Sequence, residues 1–169
     1  KGITIKSTKN PDDIVHLVNL QKQLAKEKHI GVFSEDYLKN ELTQPFSNLY
    51  LAEYENHIIA AVLCFDDNDT RYYMQAASDS NYRNLAANGI IVTKMLLDAR
   101  EKGLKFFDFW GIAPEGAPKS HPWAGFTNFK KSFKGREVFY TGTYDLPLNS
   151  AKYLFYKIIR KLNRWLRRH

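Results

Sequence analysis

Sulfur is scarce in this sequence. Cys64 is the only cysteine in 169 residues, which excludes an internal disulfide and any zinc cage built on cysteine. No apolar run approaches the roughly 20 residues of a membrane span, and no charged-then-apolar leader marks secretion. No methionine opens the chain, which begins at Lys1 and reads as a piece of something longer. Internal repeats and low-complexity tracts are also lacking. With 44% hydrophobic, 14% aromatic and 25% charged residues, the composition is that of a folded domain, not of a disordered tail or a fibre.

Acid is missing from one region. Residues 149–169 hold Lys152, Lys157, Arg160, Lys161, Arg164, Arg167 and Arg168 and no Asp or Glu. Residues 1–148 hold the other 18 basic residues and all 18 acidic ones, so the tail carries the whole net charge of +7. A nucleic-acid-binding domain that is basic throughout does not look like this. The natural division is a neutral body, 1–148, and a basic amphipathic helix, 149–169. Phe155, Ile158, Ile159, Leu162, Trp165 and Leu166 fall on one face of that helix at helical spacing. It suits packing on another domain, contact with anionic lipid, or contact with RNA phosphates.

The body alternates between two periodicities. Ile3 to Ile5 reads as a strand, and Asn10-Pro11-Asp12-Asp13 as the start of a helix that presents Ile14, Leu17, Val18, Leu24 and Ala25 and ends near Gly31. Ser34 opens a second helix that stops before Pro45. Strands follow at Asn48–Glu53, His57–Phe65 and Thr70–Ala77. The acidic turn at Asp66, Asp67 and Asp69 reads as a solvated hairpin turn, and Cys64 as inert core. A long helix spans Tyr82–Lys102, with Leu85, Ile90, Met95 and Leu97 inward and Gly103 as its stop. Then come a strand at Lys105–Trp110, a Pro/Gly/Ser loop at 113–122, a short helix at Phe126–Phe133 and a last strand at Glu137–Tyr144. Asn149-Ser150 caps the tail helix. The order specifies an α/β class, an α+β mixed sheet with helices on both faces, and resembles the GNAT-like acyltransferase fold.

Three segments say more than the order does. They are Tyr72-Tyr73-Met74-Gln75-Ala76-Ala77-Ser78, Phe107-Asp108-Phe109-Trp110-Gly111-Ile112, and His121-Pro122-Trp123-Ala124-Gly125-Phe126-Thr127-Asn128-Phe129-Lys130-Lys131-Ser132-Phe133. Their succession after a long helix resembles the Fem family (FemABX) of peptidoglycan bridge-forming aminoacyltransferases. The aspartate-aromatic-Trp-Gly-Ile strand end and the Gly-Phe-x-x-Phe-Lys helix are the specific parts. The resemblance covers the second of the family's two GNAT-like domains. It implies an enzyme that moves an amino acid from aminoacyl-tRNA to an amine on the stem peptide of a lipid-linked or nucleotide-linked peptidoglycan precursor. It also implies a cytoplasmic enzyme, working at the inner face of the plasma membrane where the acceptor is lipid-linked. The first domain, which completes the precursor cleft in the family, is not within this sequence.

The residues accommodate that chemistry. An aminoacyl ester is already activated, so an amine attacks it without a protein nucleophile, and no Ser/His/Asp or Cys/His arrangement stands out. The reaction needs positive charge where the oxyanion develops and a route for the amine proton. Lys130 suits the first task, with Phe129 beside it. Phe126, Phe129 and Phe133 also read simply as a core stripe. Asp108, set among aromatics, reads equally as a proton-handling carboxylate and as a structural one. Tyr73, Trp110, Arg83, His121, Trp123 and Lys131 complete the expected substrate-binding set. Arg83 faces phosphate in that reading, Trp123 stacks or anchors its loop, and His121 is structural before it is a base. No metal and no cofactor is expected. A coenzyme-A-dependent N-acyltransferase is the alternative enzyme, but its glycine turn is replaced here by Arg83-Asn84-Leu85-Ala86-Ala87-Asn88. A non-catalytic domain that binds tRNA or an anionic surface is the alternative outside enzymes.

Overall fold

A computed structural model describes residues 2–28, 31–142 and 144–166. It forms two compact units, Lys1–Phe133 and Lys134–His169, and the expected division at 148–149 falls inside the second. The first unit holds one five-stranded sheet in the order β1 (Thr4–Thr8), β2 (Ser47–Tyr54), β3 (His57–Asp67), β4 (Thr70–Ser78) and β5 (Phe106–Asp108). The first four strands pair antiparallel, and β5 joins β4 in parallel. Helices α1 (Ile14–Lys28) and α2 (Glu35–Leu42) separate β1 from β2, and α3 (Ala87–Glu101) crosses from β4 to β5. This is the mixed sheet with helices on both faces that the pattern specifies.

The sheet is buried on both sides. Leu49, Leu51, Ala61 and Leu63 pack against Ile14, Leu17, Val18, Leu38 and Leu42 of α1 and α2. Tyr50, Ala52, Val62, Cys64 and Tyr73 pack against Ile91, Val92 and Met95 of α3. Cys64 is fully buried, and desolvation pushes its thiol up to about 12, so it is the inert core residue expected.

The caps follow the sequence signals. Ser34 Oγ accepts the Tyr37 N–H, and the Asn10 side chain accepts the Asp12 N–H. Residues 29–30, beside the expected terminator Gly31, lie outside the described residues.

Three expectations need correction. The long helix does not run unbroken from Tyr82. Residues Ser80–Leu85 form a tight 3-10 turn, Ala86 takes a left-handed conformation (φ 53°), and α3 begins only at Ala87. The break resets the helical phase. Ala87, Ile91, Val92, Met95 and Ala99 face the core, whereas Leu97 is exposed. Second, no strand forms over 137–142 or at 144. Its alternating Val138 and Tyr140 stand exposed with Phe139, and alternation makes a strand only where a partner edge accepts its hydrogen bonds. Third, Asp66 is not a solvated turn residue. It sits opposite Arg71 across the β3–β4 pair and grips that buried guanidinium at 2.6 and 2.7 Å.

Arg71 is 0% exposed. Its remaining N–H groups reach the Tyr50 hydroxyl at 3.0 Å and the Met95 carbonyl of α3 at 2.8 Å. Tyr50 in turn donates to Asp98 at 2.9 Å, and Lys102 adds a second cation to Asp66 at 3.0 Å.

The second unit contains α5 (Ser150–Leu166), capped by Asn149, whose Oδ1 accepts the Lys152 N–H at 3.0 Å. Phe155, Ile158, Ile159 and Leu162 are exposed on it. The side chains of Arg164, Trp165 and Leu166 and residues 167–169, which the sequence places on the same amphipathic helix, lie outside the described ones. Among the described residues no helix is long and apolar enough to cross a membrane.

Burial pushes the Asp66 carboxyl up, but hydrogen bonds from Arg71 and Lys102 outweigh it and hold the group below its ordinary value. A depressed carboxylate contributes stability that is present above the unfolded value, about 4, and is lost as pH falls through the folded one. Asp66→Asn strands a buried cation and should lower the unfolding free energy by about 3–5 kcal/mol. Denaturant midpoints measured from neutral pH down to pH 2 should also show a shallower acid loss in that variant than in the wild type.

Candidate active site

The parallel pairing of β4 with β5 is short. It ends where Tyr72 meets Asp108, whereas β4 runs on to Ser78. Beyond that point β4 carries a bulge, because Leu63 pairs with Gln75 and Cys64 with Tyr73, leaving Met74 without an opposite residue. An extra residue reverses which side chains face which way. Arg71 and Tyr73 therefore belong to the α3 face of the sheet, while Gln75 and Ala77 turn towards α1. The sheet opens between Tyr73 and the end of β5, and aromatic rings line the opening. Phe109 and Phe129 approach the Tyr73 ring at 6.0 and 6.4 Å, and Phe133 stacks on Phe109 at 5.0 Å.

Asp108 stops β5. Its Oδ1 accepts the Trp110 N–H at 2.6 Å, closing a tight turn in which Trp110 takes a left-handed conformation (φ 64°). The turn aims the Gly111 carbonyl at α4 (Ala124–Lys131), where Lys130 Nζ donates to it at 2.8 Å. A second bond joins the same two elements: the buried Ala113 N–H donates to Thr127 Oγ1 at 2.9 Å. The loop and α4 thus sit at the carboxyl end of β5, at a break in strand pairing of the kind where α/β proteins place their ligands.

Lys130 is the chemical centre of this region. It is half-buried, and its ammonium lies 5.0 Å from the Phe126 ring centroid and 6.0 Å from that of Tyr73. It forms no ion pair among the described residues. Desolvation lowers its pKa from the ordinary lysine value, and the nearby negative charge of Asp108 raises it in part. A cation set among rings with N–H capacity to spare is equipped to meet an anion that forms beside it.

The structure gathers most of the expected residues. Tyr73, Phe129, Lys130, Asp108 and Trp110 lie at the end of β5; of the expected core stripe Phe129 and Phe133 pack into the aromatic cluster, whereas Phe126 is exposed. Tyr73 is buried, and desolvation raises its pKa. Trp123 leans towards Gly111 and Phe126, and His121 serves structure by accepting the Trp123 N–H on Nδ1 at 3.1 Å. Arg83 is not brought to this cluster. It is exposed on the 3-10 turn ahead of α3, and its guanidinium bonds to no described residue. Lys131 is exposed on α4. Among the described residues no cluster of His, Cys, Asp and Glu could hold a metal.

Sequence reasoning passed over Thr127. Its signal is a lone hydroxyl three residues before Lys130, on the face of α4 that turns inward. Thr127→Val leaves the Ala113 N–H buried without a partner and should cost about 1–3 kcal/mol of stability. Thr127→Ser, which keeps the acceptor, should lose much less. Denaturant unfolding of the two variants side by side checks this.

The chain is 27% identical over 92 residues to "Aminoacyltransferase FemA" of Staphylococcus epidermidis, a match covering 54% of this chain and 22% of that protein. The match thus spans less than a quarter of that protein's length. The crystal structure of FemX superposes with a TM-score of 0.69 at 14% identity, covering 78% of this chain and 50% of that one. An aminoglycoside acetyltransferase, meta-AAC0020, from an uncultured soil metagenomic sample superposes with a TM-score of 0.63 at 16% identity, over 86% of this chain and 97% of that one. These likenesses show the GNAT-like fold. The FemAB family profile matches residues 2–161, nearly the whole length, and the chain belongs to the FemAB family.

Proposed function

We propose that this chain is the catalytic GNAT-like domain of an aminoacyltransferase that moves an amino acid from aminoacyl-tRNA to the stem peptide of a peptidoglycan precursor, forming an interpeptide bridge. The observation that carries the reading is the Lys130 ammonium. It is desolvated and without an ion pair among the described residues, at the open end of the β4–β5 pairing in a FemAB-family chain. In the reaction the acceptor amine adds to the ester carbonyl, the carbonyl oxygen takes the negative charge, and the ribose 3′ oxygen departs with a proton from the amine. An ammonium aimed at that oxygen stabilises the charge more than it binds the neutral ester. Asp108, tied to the Trp110 N–H, acts here by shaping the turn that presents Gly111, and its charge favours the protonated form of Lys130. The acceptor site is completed by a further GNAT-like domain.

A coenzyme-A-dependent transfer fits less well. Ala86 and Asn88 place side chains in the turn where a pyrophosphate needs bare backbone, and Asn88 Nδ2 is bonded to Ser78. The transfer belongs on the cytoplasmic side of the membrane, where charged tRNA is available. Lys152, Lys157, Arg160 and Lys161 of α5 are positioned on one helix for phosphate-bearing partners.

Lys130→Ala should slow single-turnover transfer from preformed aminoacyl-tRNA by roughly a hundredfold or more, with little change in the binding of either substrate. Lys131→Ala should have a small effect. Equal, small effects of the two substitutions would sink the assignment. The rate should fall at alkaline pH as Lys130 loses its proton, and because its pKa is depressed this limb should lie below the ordinary lysine value of 10.5. Lys130→Arg should retain part of the rate and move the limb upward, since a guanidinium stays charged.

A further inference from the structure

One side of β4 is only partly covered. Its pairing with β5 stops at Tyr72, and from Tyr73 to Ser78 its one strand neighbour among the described residues is β3. At about 3.3 Å per residue this leaves roughly 20 Å of open edge. Backbone groups of a strand point to its two sides in alternation, so alternate N–H and C=O groups of this run face the open side. No described residue outside the sheet makes a backbone hydrogen bond to them. Side chains along the run are also short of partners. Among the described residues three buried side-chain oxygens lack a hydrogen bond, and two of them belong to residues tied to this run. Gln21 of α1 is 7% exposed; its Nε2 reaches Gln75 at 3.5 Å, and its Oε1 has no partner. Asn88 of α3 donates to Ser78 Oγ at 3.2 Å, and its Oδ1 has none. Buried acceptors are as a rule satisfied in folded proteins, so these two are placed to receive N–H donors. The run also begins at the candidate site. Tyr73 is its first residue, and the Lys130 ammonium lies 6.0 Å from the Tyr73 ring centroid. The bulge at Met74 sets Tyr73 towards α3 and Gln75 towards α1. The open edge therefore lies between the ammonium on one face of the sheet and the Gln21–Gln75 pair on the other.

We propose that the edge of β4 from Tyr73 to Ser78 takes the acceptor's stem peptide as an added strand, with Gln21 as a side chain that receives it; the identity of the peptide rests on the function proposed above. The chemistry of the edge supplies the fit. It offers N–H and C=O groups in alternation, and an extended peptide is the partner that answers both. The unpaired oxygens of Gln21 and Asn88 ask for donors, which a peptide also brings. Side chains of an added strand alternate between the two faces of a sheet. The side chain that ends in the acceptor amine then turns to the α3 face, where Lys130 stands, and its neighbours turn to the α1 face, where Gln21 stands. Main-chain pairing holds the peptide whatever its side chains, and the two faces select among peptides. Gln21 makes and breaks no bond; it is a binding residue.

The test is the binding of the stem peptide, its side-chain amine free, to the intact enzyme, beside copies methylated at one main-chain nitrogen at a time. Methylation should weaken binding about tenfold or more at alternate nitrogens and little at those between, which is the period of an added strand. By hydrogen exchange, the outward amides of Tyr73–Ser78 should exchange quickly in the free enzyme and roughly tenfold more slowly with the peptide bound. Gln21→Leu should bind the peptide severalfold more weakly, with the same period. Equal loss at every nitrogen, loss at none, amides that the peptide does not slow, or a Gln21→Leu protein that binds as the wild type does overturns the added strand. Amides already slow without peptide mark an edge covered by protein and also overturn it. Amides slowed by an RNA hairpin ending in CCA, and not by the peptide, assign the edge to the donor and overturn it too. In each of these cases the transfer reading is decided separately, by the Lys130→Ala rate.

Discussion

The buried guanidinium of Arg71 is the constraint on which the rest of the body depends. A cation with no exposed surface is tolerated only when its charge and its donors are matched. Here the match is made by groups from three elements: Asp66 of β3, Tyr50 of β2 and the Met95 carbonyl of α3. Each must be in place for the charge to be accommodated. One side chain therefore fixes the height and angle of α3 over the sheet. Arg71 also stands opposite Phe107 of β5, so the strand that delivers the site is registered against the same anchor.

That anchoring matters because β5 cannot position itself. It pairs with β4 over three residues only, too few for its own hydrogen bonds to hold it against fraying. Its place is fixed from outside, by the Lys105 and Phe106 N–H groups bonded to the Asp69 carbonyl at its start and by packing of Phe107, and of Phe109 just after the strand, against the α3-side core. At its end the turn built by Asp108 hands the chain to α4, and Lys130 and Thr127 bond back to residues 111 and 113. A rigid start and a two-point latch at the finish bracket an otherwise weak strand. Lys130 gains a fixed position without, among the described residues, an ion pair.

Most of the body is legible from periodicity and caps. The runs Leu49–Ala52 and Ile58–Phe65 and the caps Asn10 and Ser34 are local signals, and the structure follows them. The errors lie where the outcome depends on something distant. Ala86 reads as a good helix former, yet it takes the left-handed turn between the 3-10 segment and α3, because the chain must change direction as it leaves β4. Residues 137–144 have strand composition, but composition cannot supply a neighbouring edge. Asp66 and Arg71 look like the rim of a solvated hairpin. Only the alternation that sets Arg71 on the same face as Tyr73 hints that the pair points inward, and the sequence does not say that a helix will cover it. At the candidate site, the motif segments put Lys130 and Asp108 forward, but not what they touch. The carboxylate turns out to hold the Trp110 N–H, and the hydroxyl of Thr127, which carries no motif signal, turns out to hold α4.

The surroundings of Lys130 involve two opposed demands. Rings and burial strip water from the ammonium, which strengthens its attraction to any developing oxyanion because less solvent screens it. The same stripping disfavours the charge itself and lowers the pKa. A direct carboxylate partner would restore the charge, but it would occupy the donors the oxyanion needs. Asp108 resolves the conflict by its position. Its carboxylate is engaged with the Trp110 N–H, so it is not the ammonium's hydrogen-bond partner, yet its negative charge still favours the protonated form. The only hydrogen-bond acceptor Lys130 meets among the described residues is a neutral carbonyl, that of Gly111, which orients one N–H of the three the ammonium carries. The Asp108–Trp110 turn thus bears on the ammonium in two ways, presenting the carbonyl that orients it and supplying, at a distance, a negative charge that partly offsets its desolvation.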